Sequence, residues 1–214
     1  MNGNHYFTEL LEAHPGLEGC IPGIKAACDA VAACYQGGGK LLICGNGGSS
    51  ADAGHIVGEM MKSFEIRRPI ARELAARLIE ISPERGAILA SGLEKGLPAI
   101  SLSAHTALVS AIINDMGADY GFAQQVAGYG KEGDVLMAVS TSGNSRNVVD
   151  AVITARALDL RTIGLTGMTG GMMKQYCDIL ICIPVAGTSK IQEYHLPVYH
   201  TICKVVEQAI FGNK

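Results

Sequence analysis

Five short apolar runs, KLLIC (40–44), PAISLS (98–103), DVLMAVS (134–140), RTIGLT (161–166) and DILICIP (178–184), punctuate the chain and dictate most of what it can become. Each is too short for a core helix, and most are bounded by Gly, Pro or Asp, which marks them as strands. Between them lie segments of helical spacing. In NVVDAVITARAL (147–158), Val, Ile and Leu return every three or four residues. Strand alternating with helix implies a parallel sheet covered on both faces, and strands covered twice are apolar without interruption. The expected fold is α/β: a doubly wound, five-stranded parallel sheet flanked by helices. An N-terminal helical segment, 1–36 and helical from about residue 5, precedes the first strand; it is interrupted near Pro22 and ends in Gly37, Gly38 and Gly39.

The 214 residues, 48% hydrophobic, suit one domain spanning 1–214 with an ample core. With 17 basic and 20 acidic residues, a net charge of −3 and no Lys/Arg block, a nucleic-acid partner is not expected. No apolar run approaches 18 residues, and the start MNGNHYFTELLEAH lacks the basic flank and apolar centre of a signal peptide. The expectation is a cytoplasmic protein with no membrane partner. Seven cysteines without a C-x-x-C pair read as reduced, mostly buried thiols.

In doubly wound folds, ligands bind beyond the carboxyl ends of the strands, where loops enter helix N-termini. Three loops qualify: GNGGSS after the first strand, the continuous STSGNS (140–145) after the third, and GMTGG after the fourth. Ser140, Thr141, Ser142 and Ser145 place four hydroxyls where backbone amides and the positive end of a helix converge, an environment for a phosphate monoester. Ordinary capping by Ser142 or Ser145 would need only one hydroxyl. In GNGGSS, Gly47 and Gly48 let backbone approach a ligand closely, while Asn46 and Ser49 can direct side chains at it. Ser50 stands where a dinucleotide fingerprint needs its third glycine, the second strand ends in Ser101 and Ser103 without an acid, and no G-K-[ST] follows. No nucleotide cofactor is expected.

His55 and Glu59, spaced i, i+4, put an imidazole and a carboxylate on one helix face behind GNGGSS. In IQEYHLPVYH (191–200), Gln192 and His200 lie eight residues apart, on one side of a helix, with His195 between them and Pro197 expected to kink, unwind or start that helix. His5, His14 and His105 read as structural. Interconversion of an aldose phosphate and a ketose phosphate needs a base beside the carbonyl and an acid for its oxygen. Glu59 is the candidate base and His200 the candidate acid, with the phosphate supplying orientation. Alternatively, His55, Glu59, Gln192 and His200 form a four-ligand site for zinc, which would polarise the carbonyl. Both assignments stand on the sequence.

GNGGSSADAGH with Glu59, ND at 114–115, STSGNS, GLTGMTGG (164–171) and IQEYHLPVYH together resemble the sugar isomerase (SIS) family, and within it the phosphoheptose isomerases. The resemblance spans nearly the whole chain and implies a flavodoxin-like SIS fold. It also implies conversion of sedoheptulose 7-phosphate to D-glycero-D-manno-heptose 7-phosphate. By the same resemblance, Asn46, Gly47, Gly48, Asn114, Asp115, Ser140, Thr141, Ser142, Ser145 and Gln192 contact the sugar phosphate. Glu59 and His200 are the acid/base pair, and zinc sits among His55, Glu59, Gln192 and His200 in some members. A homotetramer with sites at subunit interfaces is implied, in which the C-terminal histidine can serve a neighbouring subunit.

Two departures accompany the resemblance. Ser63 occupies the place of a substrate-binding arginine, with Lys62, Arg67 and Arg68 as nearby substitutes. An insertion of roughly two dozen residues, about 67–96, follows; ARELAARLIEI is expected to be helical and SPERGAILASGLEKG a loop with a short second helix, together a lid or subunit contact. Alternatives to the isomerase are a non-catalytic SIS protein, either a sugar-phosphate sensor or a replication-initiator-binding adaptor, and an isomerase of another sugar phosphate.

Overall fold

The computed structural model describes residues 3–212. The sheet is built from β1 (Leu41–Gly45), β2 (Ala99–Ser101), β3 (Val135–Ser140), β4 (Arg161–Gly167) and β5 (Ile179–Ile183). All neighbours are parallel and the order is β2-β1-β3-β4-β5. Each expected apolar run supplies one strand, displaced by a residue at most of its ends.

Alternation along the strands explains why their sequences do not alternate. Leu41 and Ile43 of β1, with Val135, Met137 and Val139 of β3, enter one core. Leu42 and Cys44, with Leu136 and Ala138, enter another on the opposite face. Each buried Leu, Ile or Val stabilises the fold by roughly 1.5–3 kcal/mol, so both faces demand apolar side chains. On one face pack α2 (Ile21–Gln36), α3 (Gly48–Met61) and α9 (Thr188–Phe211); on the other pack α7 (Tyr120–Tyr129) and α8 (Arg146–Ala157). The seven cysteines are free thiols, five of them buried.

The N-terminal segment breaks earlier than expected. α1 (Asn4–Ala13) yields to a 3₁₀ turn, Pro15–Cys20, before α2 begins. Pro22 sits in the first turn of α2, where its missing N–H costs nothing, so it starts that helix rather than interrupting one. Pro197, by contrast, neither starts nor ends a helix: α9 runs through it for 24 residues, and the Thr201 hydroxyl donates to the Pro197 carbonyl at 2.8 Å.

The insertion is a helical hairpin, α4 (Arg72–Ile81) and α5 (Pro83–Gly92), joined through Ser82 alone. Much of SPERGAILASGLEKG is therefore helix, because Pro83 at the first position and Glu84 in the first turn favour a helix start. At Gly86 a Cβ would collide with the Leu78 carbonyl, so glycine lets the two helices touch. The hairpin's base is pinned by an antiparallel bridge between Pro69 and Glu94. The remaining helix, α6 (Thr106–Asp115), follows β2.

Candidate active site

Strand order reverses between β1 and β3, and the loops leaving those two strands lie side by side. Asn46, after β1, and Asn147, in the first turn of α8, exchange side-chain hydrogen bonds: Asn46 Nδ2 donates at 2.9 Å and Asn147 Nδ2 at 3.0 Å. Gly47 takes φ +56°, a backbone that suits glycine, and α3 begins at Gly48. A Cβ on Gly48 would stand 2.5 Å from the Gln192 amide nitrogen, so the missing side chain admits Gln192 of α9 to the loop. Ser49 is buried beneath the loop at 4% exposure, whereas Ser50 donates to Ser103 at 2.6 Å, with Ser101 3.1 Å further on.

In the second loop Ser140 is buried and its hydroxyl donates to Ser145 at 3.3 Å, while Ser142 accepts from the Asn144 amide at 3.1 Å. Ser145 stands at the N-cap of α8 yet makes no capping bond. Simple capping does not account for the serines. Gly143, at φ +66°, has no room for a Cβ against the Gly170 carbonyl, and Gly171 none against the Ser142 carbonyl. The GMTGG loop thus braces the serine loop from behind, with the Met173 amide donating to Gly143 and the Met172 amide to the Asn144 side chain. Asn114 and Asp115 close α6, exposed and hydrogen-bonded to each other at 2.8 Å. Asn114 lines a groove of about 480 Å³ that also contains Ser103.

The titratable cluster forms where α3 meets α9. His55 Nε2 lies 3.2 Å from Glu59 Oε1 and 3.3 Å from His200 Nε2. One chain therefore brings these three residues together by itself. Glu59, its side chain 12% exposed, receives Lys62 Nζ at 3.3 Å on its other oxygen. Burial, then the neighbouring His55, hold His200 below the usual imidazole range. Its ring meets Phe64 at 5.3 Å and opens into a 200 Å³ cavity between α1 and α9.

Among the described residues, His55, Glu59 and His200 can offer ligand atoms within 4.8 Å of one another, a two-imidazole, one-carboxylate donor set of the kind zinc takes. Gln192 sits two turns away along α9, against Gly48.

Of the three basic substitutes for the arginine absent at Ser63, Arg68 is excluded. It is 1% exposed, with Nε 2.7 Å from Glu207 Oε1 and its other nitrogens donating to the Met60 and Glu59 carbonyls. Glu207 also accepts from the amides of Phe64, Glu65 and Ile66, so the pair ties the end of α3 to α9. Arg67 turns to the Ser91 carbonyl at 3.5 Å. Lys62 alone faces the cluster. Ser63 donates to Glu94 at 2.6 Å through its hydroxyl and 2.8 Å through its amide, which explains serine there: it anchors the inserted hairpin.

Sequence reasoning missed Tyr199 and Asp52. The Tyr199 hydroxyl lies 3.0 Å from His55 Nδ1 and donates to Asp52 at 3.4 Å. The i, i+3 spacing of Asp52 and His55 was the available signal. His105 caps α6 by accepting the Leu108 amide, as its structural reading implied. A cavity of about 1070 Å³ lies at the opposite, amino ends of β1, β3 and β4, lined by Lys40, Asp134, Arg161 and Asp178. Those charges are paired with each other, Lys40 with Asp134 and Arg161 with Asp178 at 3.9 Å, and no helix N-terminus of the binding loops points there.

The SIS domain model matches residues 5–95 and 78–167. A phosphoheptose isomerase from Burkholderia pseudomallei is 40% identical over 191 residues, 89% of this chain and 84% of that protein. Solved phosphoheptose isomerases from Francisella tularensis and Neisseria gonorrhoeae share 32% identity, with TM-scores of 0.76 and 0.74 and 96% of each chain covered. By family model, sequence and fold alike, this chain belongs to the SIS-domain family, among the phosphoheptose isomerases.

Proposed function

We propose that this protein is an aldose–ketose isomerase that interconverts sedoheptulose 7-phosphate and D-glycero-D-manno-heptose 7-phosphate. The observation that carries the reading is the meeting of Glu59 and His200 around His55, on the helix that leaves the GNGGSS loop. The serine loop and the first turn of α8 take the phosphate, which orients the far end of the sugar. Glu59 removes the proton from the carbon next to the carbonyl, and that C–H electron pair becomes the double bond of an enediol as His200 protonates the carbonyl oxygen. Return of a proton to the neighbouring carbon, with loss of one from the other oxygen, completes the exchange. Burial, then His55, lower the pKa of His200 and so favour its neutral imidazole, which has a ring proton to give and a lone pair to take one back. Lys62 compensates the negative charge near Glu59.

His55, Glu59 and His200, with Gln192 as a fourth donor, would hold zinc, which when bound polarises the carbonyl. We further infer a cytoplasmic homotetramer: no helix among the described residues is long and apolar enough to cross a membrane, and Ile113, Met116 and Tyr120 stand exposed around the end of α6. The first test is an NMR time course with sedoheptulose 7-phosphate, repeated with Glu59→Gln and after chelation followed by zinc. Conversion lost in Glu59→Gln supports the reading. No conversion by the unmodified protein overturns it and favours the sensor, adaptor or other-sugar alternatives.

A further inference from the structure

Six large apolar side chains stand in solvent on the inserted hairpin or at its foot: Leu74, Ile79, Ile81, Ile88, Leu89 and Leu93. Ile81, at the tip, is 80% exposed. No residue of α4 is buried and in α5 only Gly86 is, so the two helices pack chiefly on each other and leave their outer faces bare. Helices of ten residues are marginal alone. A pair that holds this much apolar surface in water needs a cover.

The charged side chains of the hairpin narrow the choice of cover. α4 carries Arg72, Glu73, Arg77 and Glu80, and α5 carries Glu84 and Arg85, three charges of each sign. None of the six makes an ion pair with a described residue. A lipid surface or a nucleic acid would call for an excess of Lys and Arg, and a strongly charged protein for an excess of the opposite sign. Neither excess exists. A second copy of this chain fits the pattern, because a two-fold axis sets the patch against its own image: apolar side chains meet apolar ones, and each sign of charge finds the other in equal number. A fold-back onto the hairpin's own site is opposed by its foot. There Pro69 bridges Glu94, the Lys95 amide donates to the Arg68 carbonyl at 2.6 Å, and Ser63 holds both Glu94 oxygens. A hinge at that point would have to break these contacts.

We propose that the inserted hairpin is a homotypic docking element: α4 and α5 of one copy pack against α4 and α5 of a second across a two-fold axis, with Ile81 and its apolar neighbours between them. The hairpin is anchored at Ser63, just after the helix that carries Glu59, so the pairing steadies that end of α3 as well. The pairing goes beyond the isomerase reading and does not depend on it.

Photo-crosslinking tests the contact in the full chain. With p-benzoylphenylalanine in place of Ile81, illumination should give a covalent dimer on denaturing electrophoresis, and mass spectrometry should map the new bond to 72–93 of the second copy. Carried on the same background, Arg72→Glu, Arg77→Glu and Arg85→Glu together leave six acidic side chains on the hairpin, and Glu73→Arg, Glu80→Arg and Glu84→Arg together leave six basic ones. Either chain alone should give at least about 10-fold less dimer, and the two co-expressed should recover it to within about twofold. A bond that stays within one chain would make the hairpin a lid, and a bond to another region of the second copy or to a co-purified protein would give it a different partner. Either result overturns the pairing, as does the absence of any bond, or an equal dimer yield from the charge-swapped chains alone and together. None of these outcomes bears on sugar conversion, which the NMR time course decides separately.

Discussion

Asn46 and Asn147 join the loops that follow β1 and β3 through a reciprocal amide pair, one bond of 2.9 Å and one of 3.0 Å. The residues are 101 positions apart, and their pairing closes the gap at the reversal of strand order. Removing it should cost binding more than chemistry. Asn147→Ala, which leaves Asn46 in place, is expected to raise KM about 5-fold, equivalent to roughly 1 kcal/mol for one net hydrogen bond, with kcat little changed. Steady-state kinetics check this; an unchanged KM would mean the loops hold their geometry without the pair.

The serine loop makes a separable prediction. Ser140→Ala combined with Ser142→Ala removes the hydroxyl that bonds Ser145 and the one that accepts the Asn144 amide. Calorimetric titration with inorganic phosphate should show affinity falling by about 10-fold or more, while thermal stability drops by about 1–3 kcal/mol at most. Unaltered phosphate affinity would move the anion site elsewhere.

Arg68 and Glu207 form a buried ion pair in which Glu207 also accepts three backbone amides. Arg68→Met strands that carboxylate and should destabilise the protein by about 3–5 kcal/mol, measured by denaturant unfolding. Since Arg68 never faces the cluster, residual folded protein at low temperature should retain near-normal KM. A large KM change would return Arg68 to substrate binding.

His195 gives a pH dependence with a definite sign. It is fully buried, and burial, offset in part by the Thr166 backbone, lowers its pKa from 6.5 to about 4. Below pH 6.5 the unfolded chain binds a proton there that the native state refuses until about pH 4. Stability should therefore fall as pH drops from 6.5 to 4, by about 3 kcal/mol from this group. Comparison with His195→Leu by urea unfolding at pH 7 and pH 4.5 should show the acid-induced loss reduced. An equal loss in both proteins would assign the acid sensitivity to other groups.

The inserted hairpin should come apart without the sheet. No residue of α4 is buried, and in α5 only Gly86 is. Gly86→Val drives a side chain into the Leu78 carbonyl and should expose 72–92 to limited proteolysis, while global unfolding shifts by less than about 1 kcal/mol. Cooperative loss of the whole fold would show that the hairpin supports the core.

Sequence alone determined the layout. The five apolar runs and their helical intervals specified a parallel sheet, because burial on two faces leaves a strand no polar positions, and β1 and β3 show this residue by residue. It also marked the glycine- and serine-rich loops at strand ends, since those residues answer to local backbone chemistry, and it paired His55 with Glu59 through helix periodicity. Breaks and loops were less legible: Pro22, Pro197 and the 82–92 segment depend on whether neighbouring turns have acceptors for their amides. Tertiary structure decided which residues share a site. Lys62, Arg67 and Arg68 look alike along the chain, yet Arg68 is consumed by Glu207, 139 positions away, and Lys62 is left beside Glu59. Tyr199 drew no reading along the chain, yet where α9 crosses α3 its hydroxyl stands between Asp52 and His55. Such roles depend on hydrogen-bond distances of about 3 Å between remote segments, and only the packed fold brings those segments together.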